Sequence, residues 1–234
     1  ERDGYVITEA AEILHELISG SFKNFQITGP SNTPSHFDFH APMLDLPNLL
    51  GTNKNSIPAP EAYLFAPEEL TQKWSKRLDA YNGLRVGLVW AGDPKHKNDR
   101  NRSIDPSYLA PLLKLKDVNI FSLQLDHDGE ANKVLGKTVV DLAPELTSFN
   151  ETAAAMKNLD VVISVDSSPA HLAGALGCCV WTLLPFVPDW RWMLHGDTTP
   201  WYPSMQLFRQ ATIGDWSYVI ENICVALRAT RSSD

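Results

Sequence analysis

From Leu84 onward the chain alternates short apolar runs with amphipathic stretches, and this alternation constrains its fold more than any other feature. The runs fall at 84–91, 118–124, 138–142, 161–166, 179–184 and 205–209. Helical patterns lie between them near 106–115, 129–135, 148–159 and 169–176, and Asp215 caps a last one that reaches about Arg228. Runs such as Val161-Val-Ile-Ser-Val165 are apolar on nearly every residue, as expected of strands buried on both faces. Strands joined by helices lie parallel, because a parallel connection needs a crossover. The pattern predicts an α/β domain with a parallel sheet over residues 84–234.

The first third is less regular. A strand at 5–8 is followed by a helix that Thr8 could cap, with Ala10, Ile13, Leu14, Leu17 and Ile18 as its stripe and Gly20 as its stop. A strand at 22–27 and a proline-containing loop, Gly29 to Ser35, come next. Phe37-Asp-Phe-His40-Ala41 alternates like a strand. Met43 to Leu50 carries Pro47 and reads as a short or broken helix. Residues 51–66 are rich in Asn and Pro. Pro67 suits the first turn of a helix bearing Leu70, Trp74, Leu78 and Tyr81, with Gly83 at its end. Residues 1–65 thus read as a partial α/β domain, 66–83 as a linker helix and 84–234 as a complete domain.

Composition excludes several classes. Of 234 residues, 20 are basic and 28 acidic, a net of −8, and 44% are hydrophobic. That balance is globular and argues against a nucleic-acid or anionic-membrane binder, which would carry basic excess. No stretch reaches the roughly 18–20 apolar residues of a membrane span. The polar start, Glu1-Arg-Asp3, predicts no signal peptide, and the missing initiator Met leaves a fragment or a processed product open. Three cysteines (Cys178, Cys179 and Cys224) cannot all pair within the chain and form no CxxC, so a reducing, cytoplasmic setting is expected.

Three segments could carry chemistry. The first is Asp166-Ser167-Ser168-Pro169-Ala170-His171, where a buried strand turns into a helix that Ser168 can cap. Open α/β sheets bind ligands at such carboxyl ends. A helix start offers free N–H groups and a positive dipole end to a phosphate. Ser167, Ser168 and His171 add side-chain donors. A capped helix without ligand is the alternative. The second segment, Asp93 to Ser103, places Lys95, Lys97, Arg100 and Arg102 against two acidic residues in an otherwise acidic chain. It reads either as a solvated loop or as the cationic partner of the first turn on one diphosphate. The third runs from Pro185 through Asp189-Trp190-Arg191-Trp192 to Pro203. Five of seven tryptophans lie between 181 and 216. Aromatic faces beside Arg and Asp suit sugar or base stacking, and a rigid packed loop is the alternative.

Several motifs are missing. There is no GxGxxG, no GxxxxGK[ST], no HExxH and no GxSxG. Neither a cofactor nor a metal is implied. Cys178-Cys179 sit in an apolar run and read as buried and inert.

Arg85-Val-Gly-Leu-Val-Trp-Ala-Gly92, Lys97-Asn-Asp-Arg-Asn-Arg-Ser103, Asp166-Ser-Ser-Pro-Ala-His-Leu-Ala-Gly-Ala-Leu-Gly177, Leu184-Pro-Phe-Val-Pro-Asp-Trp-Arg-Trp192 and Trp201 to Gln210 resemble a bacterial glycosyltransferase domain. It is the kind found after tetratricopeptide repeats, and is more distantly similar to ADP-heptose lipopolysaccharide heptosyltransferases and O-linked N-acetylglucosamine transferases. The resemblance covers about residues 35–228. It implies a GT-B fold with two Rossmann-like domains facing a cleft, metal-independent sugar transfer, and residues 84–234 as the donor domain. By this resemblance Lys97, Arg100, Arg102, Ser103, Ser167, Ser168 and His171 would hold the donor phosphates. Gln124 and Leu125 would lie near the nucleoside, and Asp189, Trp190, Arg191 and Trp192 near the donor or acceptor sugar. The helix at 215–228 would cross back to the first domain. The family's opening strand and glycine-containing loop have no counterpart here, nor does the acidic base of the heptosyltransferases. Cys178-Cys179 replace the commoner Lys-Pro. His40 is the remaining candidate for a base or acceptor contact, against a core or interface role.

These observations predict a glycosyltransferase, or its donor-binding portion, acting on a nucleotide-sugar donor and a glycan, lipid or protein acceptor. A non-catalytic nucleotide-sugar-binding or interaction module is the second reading, and a sugar-nucleotide epimerase the third. Nucleic acid is not an expected partner. Tetratricopeptide repeats in a parent chain are.

Overall fold

The computed structural model describes residues 4–23, 25–30, 32, 34, 36–125 and 135–231. The helix expected near 129–135 falls almost wholly outside them. Strands β1 (Val6–Glu9) and β2 (Phe25–Thr28) pair in parallel and are linked by helix α1 (His15–Ser21). Thr8 lies within β1 and caps nothing; a 3₁₀ turn, Glu12–Leu14, leads into α1 without a side-chain cap. A 3₁₀ turn at Met43–Asp45 and helix α2 (Leu46–Leu49), with Pro47 in its first turn, match the broken helix of the sequence.

Residues 37–41 form no strand, which corrects the expectation for His40. Phe39 is 93% exposed, and His40 is exposed with its ring 5.6 Å from Phe37. Alternation makes a strand only where a neighbour pairs with one edge and a layer covers one face. Among the described residues this segment has neither.

Helix α3 (Glu68–Leu78) precedes six strands: β3 (Leu84–Val89), β4 (Val118–Ser122), β5 (Val139–Asp141), β6 (Val161–Val165), β7 (Val180–Leu184) and β8 (Met205–Arg209). The helices between and after them are α4 (Asp99–Arg102), α5 (Phe149–Met156), α6 (Ser168–Ala175) and α7 (Ser217–Arg231). All six strands are parallel, in the order β5-β4-β3-β6-β7-β8. The chain winds outward from β3 to β5, returns to place β6 beside β3, and winds outward again to β8. Such a reversal opens a crevice at the carboxyl ends of the two central strands, because their connections leave toward opposite sides.

The sequence accounts for the layers. Every residue of β6 and β7 is buried. Along β7, Trp181 and Leu183 face one side, and Val180 and Leu184 the other. Trp74 and Leu78 of α3, the Ala153–Met156 run of α5 and Leu172 and Ala173 of α6 cover the second side. Val219, Ile220, Ile223 and Leu227 of α7 cover the first. Each aliphatic side chain buried in this way contributes about 1.5–3 kcal/mol. Thus α3 is a packed layer on the large sheet, and α7 also packs on that sheet. The crossing implied by the resemblance is not what holds α7 in place.

Local signals set several ends. The Ser148 hydroxyl accepts from the Glu151 N–H at 3.2 Å, one half of a capping box. The other half is absent, because the Glu151 carboxylate turns to Lys73 Nζ (2.7 Å) and the Trp74 indole N–H (2.5 Å). That exchange ties α5 to α3. Asp105 caps only a 3₁₀ turn, Pro106–Leu109, where a longer helix was expected. Asp215 accepts from the Ser217 N–H at 3.0 Å and starts α7. No helix among the described residues is long and apolar enough to cross a membrane.

Candidate functional site

The loops that leave β3 and β6 meet in the crevice. The Gln124 side chain is buried, and its carbonyl accepts from the N–H groups of Trp90 (3.1 Å) and Ala91 (2.9 Å). It therefore splices the end of β4 to the loop after β3. The Ser103 hydroxyl accepts from Gly92 N–H at 3.0 Å and closes that loop on itself. Arg102 then reaches across. Its Nε donates to Asp99 (3.1 Å) and its Nη1 to the Asp166 carbonyl (2.7 Å). A Cβ on residue 92 would strike the Arg102 guanidinium, so glycine is required for this approach.

On the other side, Ser167 is the residue before α6, while Ser168 and Pro169 open the helix. The Ser167 hydroxyl is turned inward and donates to the Val165 carbonyl at 3.2 Å. Ser168 is exposed. The first N–H groups of a helix have no intrahelical acceptor, and Pro169 brings none.

Two cavities flank this turn. One, of about 950 Å³, is lined by the 96–105 loop, Asp166, His171, residues 185–189, Arg191 and Gln210. The other, of about 630 Å³, is lined by Ala91 to Lys95, Leu123 to Leu125, Leu146 to Phe149 and Leu172. Arg102, Ser167 and Ser168 belong to both walls. A ligand with two ends and a charged middle would fit across that shared wall.

His171 is held from several directions. Its ring stacks on Trp192, with centroids 5.2 Å apart, and its Nδ1 lies 3.0 Å from the Tyr202 hydroxyl. Nε2 lies 3.9 Å from Asp166 Oδ1, too far for a hydrogen bond. Burial pulls the imidazole below the usual histidine range, and Arg191 adds to this against the pull of Asp166 and Asp189. The neutral form is therefore favoured at neutral pH. Burial pushes the Asp189 carboxyl up, but the Arg191 N–H and guanidinium, the latter at 2.8 Å, hold it below its ordinary value. Burial raises the Cys178 thiol to about 11; Cys179, expected to be buried beside it, is exposed, and the packing around its sulfur still raises it. Both stay protonated at neutral pH and are poor nucleophiles.

The expected phosphate ligands are thus only partly assembled. Arg102, Ser103, Ser167, Ser168 and His171 converge. Arg100 lines the larger cavity from an exposed position. Lys97 is exposed and lines neither cavity. Gln124 and Leu125 line the smaller cavity. Asp189 and Arg191 line the larger one, while Trp192 is buried behind His171 and Trp190 is 63% exposed under the Arg191 guanidinium. His40 lines neither cavity.

Sequence reasoning missed Tyr202, Gly174 and Arg209. Tyr202 was grouped with the stacking aromatics, and its contact with His171 lies 31 residues away. Arg209 clamps the 192–196 loop by donating to the carbonyls of Trp192, Met193 (3.0 Å) and Gly196 (2.7 Å). No local pattern marks either contact.

Residues 122–192 match the model of glycosyltransferase family 9 (heptosyltransferase). The chain is 28% identical over 225 residues to Protein FlbA of Caulobacter vibrioides, covering 92% of this chain and 37% of that protein. Among solved structures, it is similar to ADP-heptose lps heptosyltransferase II of E. coli, with a TM-score of 0.51 and 15% identity over 76% of this chain and 57% of that one. A glycosyl transferase family 9 structure from Veillonella parvula gives a TM-score of 0.52 and 11% identity over 78% and 57%. The chain therefore spans little more than a third of FlbA and somewhat over half of each of these solved chains. It has the α/β fold of the heptosyltransferase structures, and over residues 122–192 it carries the sequence pattern of glycosyltransferase family 9.

Proposed function

We propose that this chain is the donor-binding portion of a GT-B glycosyltransferase, which moves a sugar from a nucleotide diphosphate to an acceptor hydroxyl or amide. One observation carries the reading: two cavities share a wall made by Arg102, Ser167 and Ser168 at the sheet's reversal point. The nucleoside would occupy the smaller, more apolar cavity beside Gln124 and Leu125. The diphosphate would cross the shared wall, and the sugar would enter the larger cavity, facing Asp189 and Arg191. The family match covers β6, the turn after it and the 185–192 loop, which supports this assignment.

The chemistry follows from charge. Cleavage of the sugar–phosphate bond leaves negative charge on the departing diphosphate, which helix-start N–H groups, Arg100, Arg102 and a His171 N–H can stabilise without a metal. Arg102 acts from a fixed position, since Asp99 and the Asp166 carbonyl already orient it. The resemblance supports tetratricopeptide repeats in the parent chain and a bacterial, cytoplasmic setting, with a glycan, lipid or protein as acceptor.

A specific observation favours a second reading, a nucleotide-sugar-binding module without turnover. Among the described residues of 1–60, only Ile13 lines either cavity, so those residues place no acid or base there. Calorimetry with UDP, GDP, ADP and CMP sugars, followed by an assay for donor hydrolysis or transfer, separates the two. Binding with turnover supports the transferase, and binding alone supports the module. Failure of every donor to bind the wild type overturns both.

A further inference from the structure

We propose that Tyr202 is the positioning residue of this site: its hydroxyl donates to His171 Nδ1 and so holds the imidazole with its proton on Nε2, directed at the ligand. The inference rests on the reading that a diphosphate crosses the wall beside His171. The geometry carries it. Tyr202 Oη lies 3.0 Å from Nδ1, so one of the two atoms supplies the proton. If Nδ1 held the proton, Nε2 would turn a lone pair toward the Asp166 carboxylate 3.9 Å away. With the proton on Nε2, an N–H faces that carboxylate, and the gap is wide enough to leave the N–H free for an incoming oxygen.

The arrangement is built from several elements. Trp192 stacks on one face of the imidazole and fixes its plane. The Tyr202 ring packs against Gly174 of α6, where a Cβ would lie 2.5 Å from Cγ of the tyrosine. Only glycine lets the phenol come close enough to reach a histidine one turn earlier on the same helix. Burial raises the Tyr202 hydroxyl above its ordinary range, so it keeps its proton and can donate. Tyr63 belongs to the strap before α3, and its N–H, like that of Leu64, is fixed to the Ala175 carbonyl (2.9 and 3.1 Å). Gly177, which follows α6, lets the strap approach, because a Cβ there would lie 2.6 Å from the Glu61 carbonyl. The strap is therefore docked on the carboxyl end of α6, the helix that carries His171. Asp166, Asp189 and Arg191 are the charged groups that act on the imidazole.

Histidine-selective ¹⁵N NMR on the intact chain reads the tautomer directly. The wild type is expected to show His171 protonated at Nε2 and bare at Nδ1. Tyr202→Phe should give an average of both tautomers, with cooperative unfolding retained, and about fivefold weaker binding of UDP, GDP or ADP, whichever binds the wild type, as expected for one lost hydrogen bond. If Tyr202→Phe does not fold, the wild-type spectrum carries the test. An Nδ1–H tautomer in the wild type overturns the proposal. So does an unchanged tautomer in the folded variant, or a changed tautomer with unchanged affinity. If no nucleotide binds the wild type, the donor reading fails, while the spectrum still decides whether Tyr202 sets the tautomer.

Discussion

Gly174→Ala tests the packing behind the site through its sign. Helix propensity alone favours alanine by about 0.8–1.0 kcal/mol in a helix interior. The structure predicts the reverse, because the new Cβ would lie 2.5 and 2.6 Å from Cγ and Cδ1 of Tyr202. That ring cannot retreat easily: Tyr202 is buried, and its hydroxyl is fixed to His171. Overpacking of this kind costs about 1–3 kcal/mol, which cancels the propensity gain and leaves a net loss of up to about 2 kcal/mol. For a chain of this size it lowers Tm by roughly 2–4 °C per kcal/mol. Gly20→Ala in α1 is the matched control, since its Cβ meets nothing within 4 Å and the substitution should stabilise by about 0.5 kcal/mol. Thermal and urea unfolding followed by circular dichroism measure both. A Gly174→Ala protein as stable as Gly20→Ala would refute the packing of Tyr202 on α6.

Ser148→Ala removes the cap of α5 and should cost about 1 kcal/mol in urea unfolding, with the m-value unchanged. Arg209→Lys keeps the charge but loses the fork that holds three loop carbonyls; a loss of about 1–2 kcal/mol is expected, and an unchanged midpoint would contradict the clamp. His171 binds its proton less readily in the folded chain than in the unfolded one, so its contribution to stability is complete above about pH 6.5 and is lost as pH falls from there through the lower folded value. The urea midpoint should therefore fall more steeply between pH 7 and 5 in the wild type than in His171→Gln. Equal slopes would remove His171 as the cause.

The large sheet was legible because its strands are buried on both faces and their helices carry strong stops and caps. Val161–Val165, Ser148 and Asp215 each behave as their local chemistry predicts. The 37–41 segment was misread because alternation reports a half-covered strand only if a partner and a layer exist, and neither is encoded in five residues. Expectations for the site followed the same division. Residues in the segments that follow the strands (Ser167, Ser168, Arg102 and Gln124) converge at the crevice as the topology requires. Their roles differ where a long-range contact decides. Ser103 and Gln124 fasten loops, and Trp192 backs a histidine. Arg102 is bound to a carbonyl 64 residues away. Such contacts depend on the winding order of the strands, which no local pattern contains.

The central claim is that a nucleotide diphosphate sits across the wall of Arg102, Ser167 and Ser168. Titrating the ¹⁵N-labelled chain with UDP, GDP, ADP and CMP, and mapping the amide shifts, tests it most directly. Saturable shifts at Ser167, Ser168 and Arg102, joined by Gln124 and Leu125 when the nucleoside is present and reduced to the first three with pyrophosphate, are the predicted result. No saturable shift with any nucleotide, or shifts confined to surfaces away from both cavities, would contradict it.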